Sequence, residues 1–358
     1  MTLRLLLLSP YDAMSHQYWR QQLVAHLQQF VALQVTEVTL PARHFSWRFR
    51  GNSLTLSQDP QLQAEYDLII ATSMTDFATL KGLAPWLGHV PAIIYFHENQ
   101  FAYPDQHPER QLERQITSIY SAMAADRLVF NSRFNQQSFL QGAAQLLGKM
   151  PDGVPEGIVA KLDDVSEVIP VPIQIPVRVP DARPTDSHQD ILQIVWNHRW
   201  EHDKGLDELE ALVTQLVASG LAFRFHLIGQ QFRQIPAPIE RIKAMLGSRL
   251  GQFGYIEDRE VYLALLAQCD VVLSTARHEF QGLAVLEAVA AGCRPVVPDD
   301  LAYREFMPKS CRYEDIAGAV ALLKDASHEA IPLPKEVTAE HVKDRWQRLI
   351  RRVCGPLP

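Results

Sequence analysis

Twice along this chain, short apolar runs alternate with amphipathic stretches, and a proline-rich break separates the two series. In the first series the strand candidates are Leu3–Leu8, Val35–Leu40, Asp67–Ala71, Ala92–Phe96, Arg127–Asn131 and Glu167–Ile169. Helical periodicity fills His16–Phe30, Glu109–Ala125 and Phe134–Leu147. Apolar strands that alternate with amphipathic helices predict a parallel sheet covered on both faces. Pro170 to Pro176 and Pro180 to Pro184 interrupt the pattern, and the polar stretch Val177–Asp190 reads as a linker. The alternation then restarts, with strands at Ile191–Trp196, Arg224–Ile228, Leu250–Gly254, Asp270–Ser274 and Pro295–Pro298. Leu206–Ala218, Arg259–Ala267 and Leu283–Gly292 are the intervening helices. The expected class is therefore α/β, with two Rossmann-like, doubly wound domains at about 1–175 and 176–335. There is no internal sequence repeat and no low-complexity tract.

A length of 358 residues fits this division, because single hydrophobic cores stop growing below that size. The run Leu5–Leu8 is too short to span a bilayer and is ended by Ser9-Pro10, so it reads as a buried first strand. No other segment reaches membrane length, and no membrane insertion is expected. Cys269, Cys293, Cys311 and Cys354 follow no zinc or disulfide spacing, which points to a reducing, cytoplasmic setting. The formal net charge of −7 disfavours a polyanionic partner unless cations are gathered locally. Two such gatherings exist. Arg43, Arg48 and Arg50 interleave with Phe45, Trp47 and Phe49, and Lys343 to Arg352 carries five cations and one acid. The second reads most simply as a solvated helix face.

Chemistry concentrates in the second series. Residues 279–287 read Glu-Phe-Gln-Gly-Leu-Ala-Val-Leu-Glu, between a strand and a helix. Gly282 and Leu283 fall at the helix N-terminus, where unpaired amides and the dipole favour an anion such as a pyrophosphate. Glu287, one turn further on, suits the two hydroxyls of a ribose, and Glu279 suits a second polyol. An anion site flanked by two polyol acceptors fits a sugar nucleotide, although a glutamate on a helix is most often only solvated. Arg199 and Lys204-Gly205 follow the first strand of this series. Two fixed cations there would stabilise charge developing on a diphosphate leaving group; the alternative is a surface ion pair with Glu201 or Asp203.

The first series contributes the loop Tyr95-Phe-His97-Glu98-Asn99-Gln-Phe101 after an apolar strand. It lacks the second histidine of a zinc motif. His97 could contact sugar or phosphate, relay a proton, or simply order its own loop; Glu98 and Asn99, which follow it, are candidates for contact with the acceptor. Asp12 and His16, after the first strand, are candidates for contact with acceptor or phosphate, with Ser15 as a helix cap. Asn131 or Ser132 caps another helix, and Arg133 could face an anion. Tyr255, after Gly254, borders a nucleobase or belongs to the core.

Together these pieces resemble the retaining family 4 glycosyltransferases of GT-B architecture. Arg199, Lys204-Gly205, Glu279, Gly282-Leu283 and Glu287 match that family's donor motif. The resemblance implies that the basic pair binds the donor diphosphate, Glu287 the ribose, and Glu279 with the Gly282-Leu283 amides the donor sugar. It also implies a cleft between the domains and a last helix, within 336–358, packing back on the first. The family's usual Gly-Gly loop after the first strand is replaced here by Asp12-Ala13-Met14-Ser15. Leu40 to Arg48, Tyr95 to Pro104 and Phe130 to Asn135 are similar to the glycosyltransferase-like group that includes the tRNA-queuosine alpha-mannosyltransferases. That similarity implies transfer of mannose from GDP-mannose to the cyclopentenediol of queuosine in the anticodon of tRNA(Asp). No carboxylate pair suggests a covalent nucleophile, so front-face attack without a metal or other cofactor is expected. Arg43, Trp47, Arg48 and Arg50 are the candidates for holding tRNA. A lipid acceptor would call for an amphipathic basic helix at the edge of the first domain, which the sequence does not suggest. A non-catalytic sugar-nucleotide binder and a lipid or polysaccharide acceptor are the alternatives.

Overall fold

The structure is a computed structural model and describes residues 2–103, 108–174, 191–230, 234–325 and 329–355; the expected linker Val177–Asp190 lies outside the described residues. The chain divides into two compact units, one made of Met1–Pro172 with Ala339–Pro358, the other of Ile173–Thr338.

The first unit runs β1 (Leu3–Asp12), α1 (Met14–Leu27), β2 (Leu33–Pro41), α2 (Phe45–Leu56), β3 (Leu68–Thr72), α3 (Phe77–Leu83), β4 (Ala92–Phe96), α4 (Pro108–Met123), β5 (Arg127–Phe130), α5 (Arg133–Leu147), α6 (Ile158–Asp164) and β6 (Ser166–Val168). Its six strands lie in the order β2-β1-β3-β4-β5-β6, all parallel. Alternation sets the two faces. Leu6, Leu8, Ile69, Ala71, Ile94 and Phe96 join one buried cluster with side chains of α3 and α5. The opposite face presents Tyr95, which stacks on Trp19 of α1 at 4.4 Å between ring centres. Trp346, from the chain's last helix, approaches the same tyrosine at 6.1 Å.

The second unit runs β7 (Leu192–Asn197), α7 (Leu206–Ala218), β8 (Phe223–Ile228), α8 (Ala237–Leu246), β9 (Leu250–Gly254), α9 (Arg259–Gln268), β10 (Val271–Leu273), α10 (Leu283–Ala291), β11 (Arg294–Pro298), α11 (Tyr303–Phe306), β12 (Arg312–Tyr313) and α12 (Ile316–Lys324). The last helix, α13 (Ala339–Cys354), belongs to the first unit. The second sheet is ordered β12-β11-β10-β7-β8-β9, again parallel. Leu192, Ile194 and Trp196 of β7 alternate into a core with Leu209, Leu212 and Ile239.

Strand order locates the binding edges. In doubly wound sheets ligands sit beyond the carboxyl ends of the strands, where the order reverses. That point falls between β1 and β3 in the first unit and between β7 and β10 in the second.

Two local expectations are corrected. Ser15 is not a cap: α1 starts at Met14, with Ala13 at the N-cap and no side-chain bond. Residues 45–56 form a helix, where the sequence suggested none. Its alternating Phe45, Trp47 and Phe49 mimic a strand, but tertiary bonds decide. The Asn52 amide donates to the Met74 carbonyl at 2.9 Å and the Ser53 hydroxyl to that of Asp76 at 2.6 Å.

Candidate active site

Two loops meet at the reversal point of the second sheet, one after β7 and one after β10. They are stitched by the Thr275 hydroxyl, which donates to the Lys204 carbonyl at 2.9 Å and accepts from the Trp196 indole at 3.1 Å. The Arg277 amide donates to the Asp203 carbonyl at 2.9 Å. Gly205 makes this possible. Its φ is +66°, and a Cβ there would stand 2.0 Å from the Thr275 carbonyl oxygen.

The charged side chains of the motif converge on this junction. Lys204 is almost buried, and its ammonium donates to the His278 carbonyl at 2.8 Å and to Glu279 at 3.1 Å. Asp203 lies 3.3 Å from the Lys204 ammonium and 2.9 Å from Arg199, so one carboxylate spaces both cations. Arg199 also pairs with Glu201 at 3.0 Å, so the ion pairs weighed as an alternative are present. Gly282, at φ +82°, is the N-cap of α10, and its amide donates to the Glu279 carboxylate. Burial pushes Glu279 toward the neutral acid, but the Lys204 charge and these hydrogen bonds outweigh it and hold the carboxylate below its ordinary range. The helix terminus thus already carries a protein anion, which supports its suitability for one.

Glu287 faces a second network. Arg259 donates to it at 2.7 Å and the Tyr262 hydroxyl at 3.2 Å. Asn197, at the end of β7, donates to Tyr262 at 2.9 Å and to the Ala284 carbonyl at 2.8 Å. Arg259, Tyr262 and Asn197 were not singled out from the sequence. The α9 residues stand 28 and 25 positions from Glu287, and only the fold joins them. Tyr255 is not a core residue. It is exposed and lines, with Ile256, Val261 and Leu265, a surface pocket of about 400 Å³.

The corresponding edge of the first unit is built differently. His16 and His97 stack edge to face at 4.2 Å, with Trp19 and Tyr95 against His97 at 4.8 and 4.7 Å. Burial lowers the His16 pKa to about 4, against the opposing charge of Asp12. Burial, then His16, holds His97 well below the usual histidine range. Both imidazoles are neutral at pH 7. The Nε2 of His97 and both ring nitrogens of His16 are buried without a hydrogen-bond partner among the described residues, as are the hydroxyls of Ser9 and Thr72. Asp12 is paired with Arg20 at 3.0 Å. Glu98 is half-buried, and its carbonyl accepts from the Ser73 hydroxyl at 3.2 Å.

Asn99 is a correction. It is 1% exposed, its amide donates to Asn135 Oδ1 and to Ser138 at 2.8 Å each, and its carbonyl accepts from Phe101 at 2.9 Å. It anchors the loop and has no capacity left for an acceptor. Asn131 does similar work, donating to the His97 carbonyl at 2.8 Å, while Ser132 caps α5.

On α2, Trp47 is 60% exposed with its ring over Gly51, where a Cβ would stand 2.7 Å away. Arg43 is exposed and Arg48 half-buried. Arg50 pairs with the buried Asp76 and with Glu113 at 3.3 Å, which braces α2 to α3 and α4. Among the described residues no helix is long and apolar enough to cross a membrane.

Both halves of the chain match known families. The family model described as tRNA-queuosine alpha-mannosyltransferase N-terminal matches residues 4–173. That described as family 4 glycosyltransferase in conflict systems matches residues 156–358. The chain is 34% identical over 317 residues to a tRNA-queuosine alpha-mannosyltransferase of Drosophila melanogaster, covering 86% of this chain and 83% of that protein. Among solved structures, Anabaena HepE in complex with UDP and glucose superposes with a TM-score of 0.68 at 14% identity, covering 98% of this chain and 100% of that one. A UDP-forming trehalose-phosphate synthase from Burkholderia xenovorans gives a TM-score of 0.65 at 14% identity, with 99% of each chain covered. At such identity these two structures speak for the fold alone. The chain belongs to the tRNA-queuosine alpha-mannosyltransferase family and is a glycosyltransferase of the GT-B fold.

Proposed function

We propose that this enzyme transfers mannose from GDP-mannose to queuosine in the anticodon of tRNA(Asp), in the cytoplasm and with retention of configuration. The observation that carries the donor half is the ion pair of Lys204 and Glu279 at the N-terminus of α10. Arg199 and Lys204 would hold the diphosphate, Glu279 and the Gly282-Leu283 amides the hexose, and Glu287 the ribose. As the bond from C1 to the diphosphate breaks, charge collects on the departing oxygen, and fixed cations stabilise that charge without reorganising. A queuosine hydroxyl then adds to C1 from the same face and passes its proton to the departing phosphate. No protein nucleophile, metal or other cofactor is called for in this scheme. The neutral, buried His97 can accept or donate one hydrogen bond to an uncharged hydroxyl.

The acceptor half is supported by the N-terminal family match and by the segment 43–48, in which Arg43 and Trp47 are exposed and Arg48 is half-buried. An exposed aromatic with cations suits an unstacked anticodon base beside phosphates. A second reading has one observation in its favour. Residues 45–56 do form a helix, with Trp47 and Leu54 exposed, and a basic helix with exposed apolar side chains can also meet a lipid surface.

One assay separates the two. The enzyme is incubated with GDP-mannose and tRNA that either carries or lacks queuosine, and the nucleosides are analysed by mass spectrometry. One added hexose on queuosine alone is expected. Transfer to lipid, with none to queuosine, would leave glycosyl transfer standing and remove the tRNA acceptor.

A further inference from the structure

A polar group with no partner sits inside the donor edge. His198 follows β7 directly, is 3% exposed, and its Nε2 is buried without a hydrogen-bond partner among the described residues. Its ring meets Trp196 edge to face at 5.1 Å. Its backbone is pinned as well: Gly229 approaches so closely that a Cβ there would fall 1.8 Å from the His198 carbonyl oxygen. The position is thus fixed from two sides. The charges of Lys204, Glu279, Asp203 and Arg199 all act on this imidazole, so it lies amid the four charged groups of the site. Burial, then the Lys204 charge, lowers its pKa to about 3, and it is neutral at pH 7. A buried nitrogen left unpaired is unfavourable, and its neighbours Lys204 and Glu279 are already bonded to each other.

We propose that His198 is a ligand of the donor's hexose, its Nε2 hydrogen-bonding a sugar hydroxyl beside Glu279. A neutral imidazole suits an uncharged hydroxyl, whereas the diphosphate is matched by the cations Arg199 and Lys204. The assignment rests on the donor reading given above and adds to it a residue that discriminates among hexoses.

Isothermal titration of the full chain with GDP and with GDP-mannose tests it. His198→Ala should weaken GDP-mannose about threefold to tenfold, the range of one net hydrogen bond, and leave GDP unchanged. His198→Gln, whose amide reaches the Nε2 position, should recover part of the loss, and His198→Asn, which does not reach it, should not. If His198→Ala does not fold, as melting would show, the Gln and Asn variants carry the comparison. Equal weakening of GDP, or no weakening of either ligand, overturns the assignment. Should the unsubstituted protein bind neither ligand, the donor reading itself fails and this one with it, a failure visible before any substitution is made.

Discussion

The two sheets share a winding but differ at their binding edges. At the reversal point of the second sheet, Arg199, Asp203, Lys204 and Glu279 form a chain of ion pairs. At that of the first sheet, Ser9, His16, Thr72 and His97 are neutral, buried and short of partners among the described residues, while Asp12 is paired with Arg20. On the proposed reading, paired charges are set where charge must move, as a diphosphate leaves. On the same reading, unpaired neutral groups are set where hydroxyls are recognised, because an unmet hydrogen bond in a dry site discriminates strongly. One architecture would then support two kinds of recognition through the loops at its strand ends.

The largest way to break this contrast is Lys204→Ala. Turnover is expected to fall on the order of 10²-fold or more, mostly in kcat rather than in donor affinity, since the charge appears in the transition state. Single-turnover kinetics measure it, and undiminished turnover would remove the charged edge from the chemistry. The next test divides that edge. Glu287→Ala should weaken GDP and GDP-mannose alike by about tenfold, as for a hydrogen bond to a charged group, and Glu279→Ala should weaken only GDP-mannose. Titration of both ligands decides, and equal losses of GDP would show that the two glutamates do not divide ribose from hexose.

A smaller effect is expected on α2. Trp47→Ala should raise KM for tRNA about fivefold or more, from stacking of ~1–3 kcal/mol per base, without altering GDP binding. Because the ring lies over Gly51, Gly51→Ala should displace it and reproduce part of that change. A loss of melting temperature with KM unmoved would assign Trp47 to packing instead.

The smallest concerns the neutral edge and pH. The His16 pKa is lowered to about 4 in the folded chain, so on acidification the unfolded chain takes up its proton first, near 6.5. That contribution to stability is complete above pH 6.5 and declines as the pH falls toward 4. Urea denaturation at pH 7 and pH 5 should show His16→Gln losing less stability than the parent between the two. Equal losses would mean that His16 is not held neutral.

Much of this was legible in the sequence, for identifiable reasons. Apolar runs such as Ala92–Phe96 announce buried parallel strands, and β4 coincides with that run. The Glu279–Glu287 spacing around Gly282 announces a helix start, and α10 begins at Leu283. What stayed hidden depends on contacts between distant segments. The strand-like alternation in Phe45–Phe49 concealed α2, which Asn52 and Ser53 secure against the loop after β3. Asn99 looked free because its partners Asn135 and Ser138 stand a helix away. No local pattern tells a buried, unpaired histidine such as His198 from an exposed one.

The division of labour between the edges is tested most directly by amide hydrogen exchange on the full chain, with GDP and with queuosine-bearing tRNA in turn. GDP is expected to protect the segments 197–205 and 275–287 of the second unit and to leave 43–50 unchanged. The tRNA is expected to protect 43–50. Protection of 43–50 by GDP, or protection by tRNA confined to 197–205 and 275–287, would contradict it.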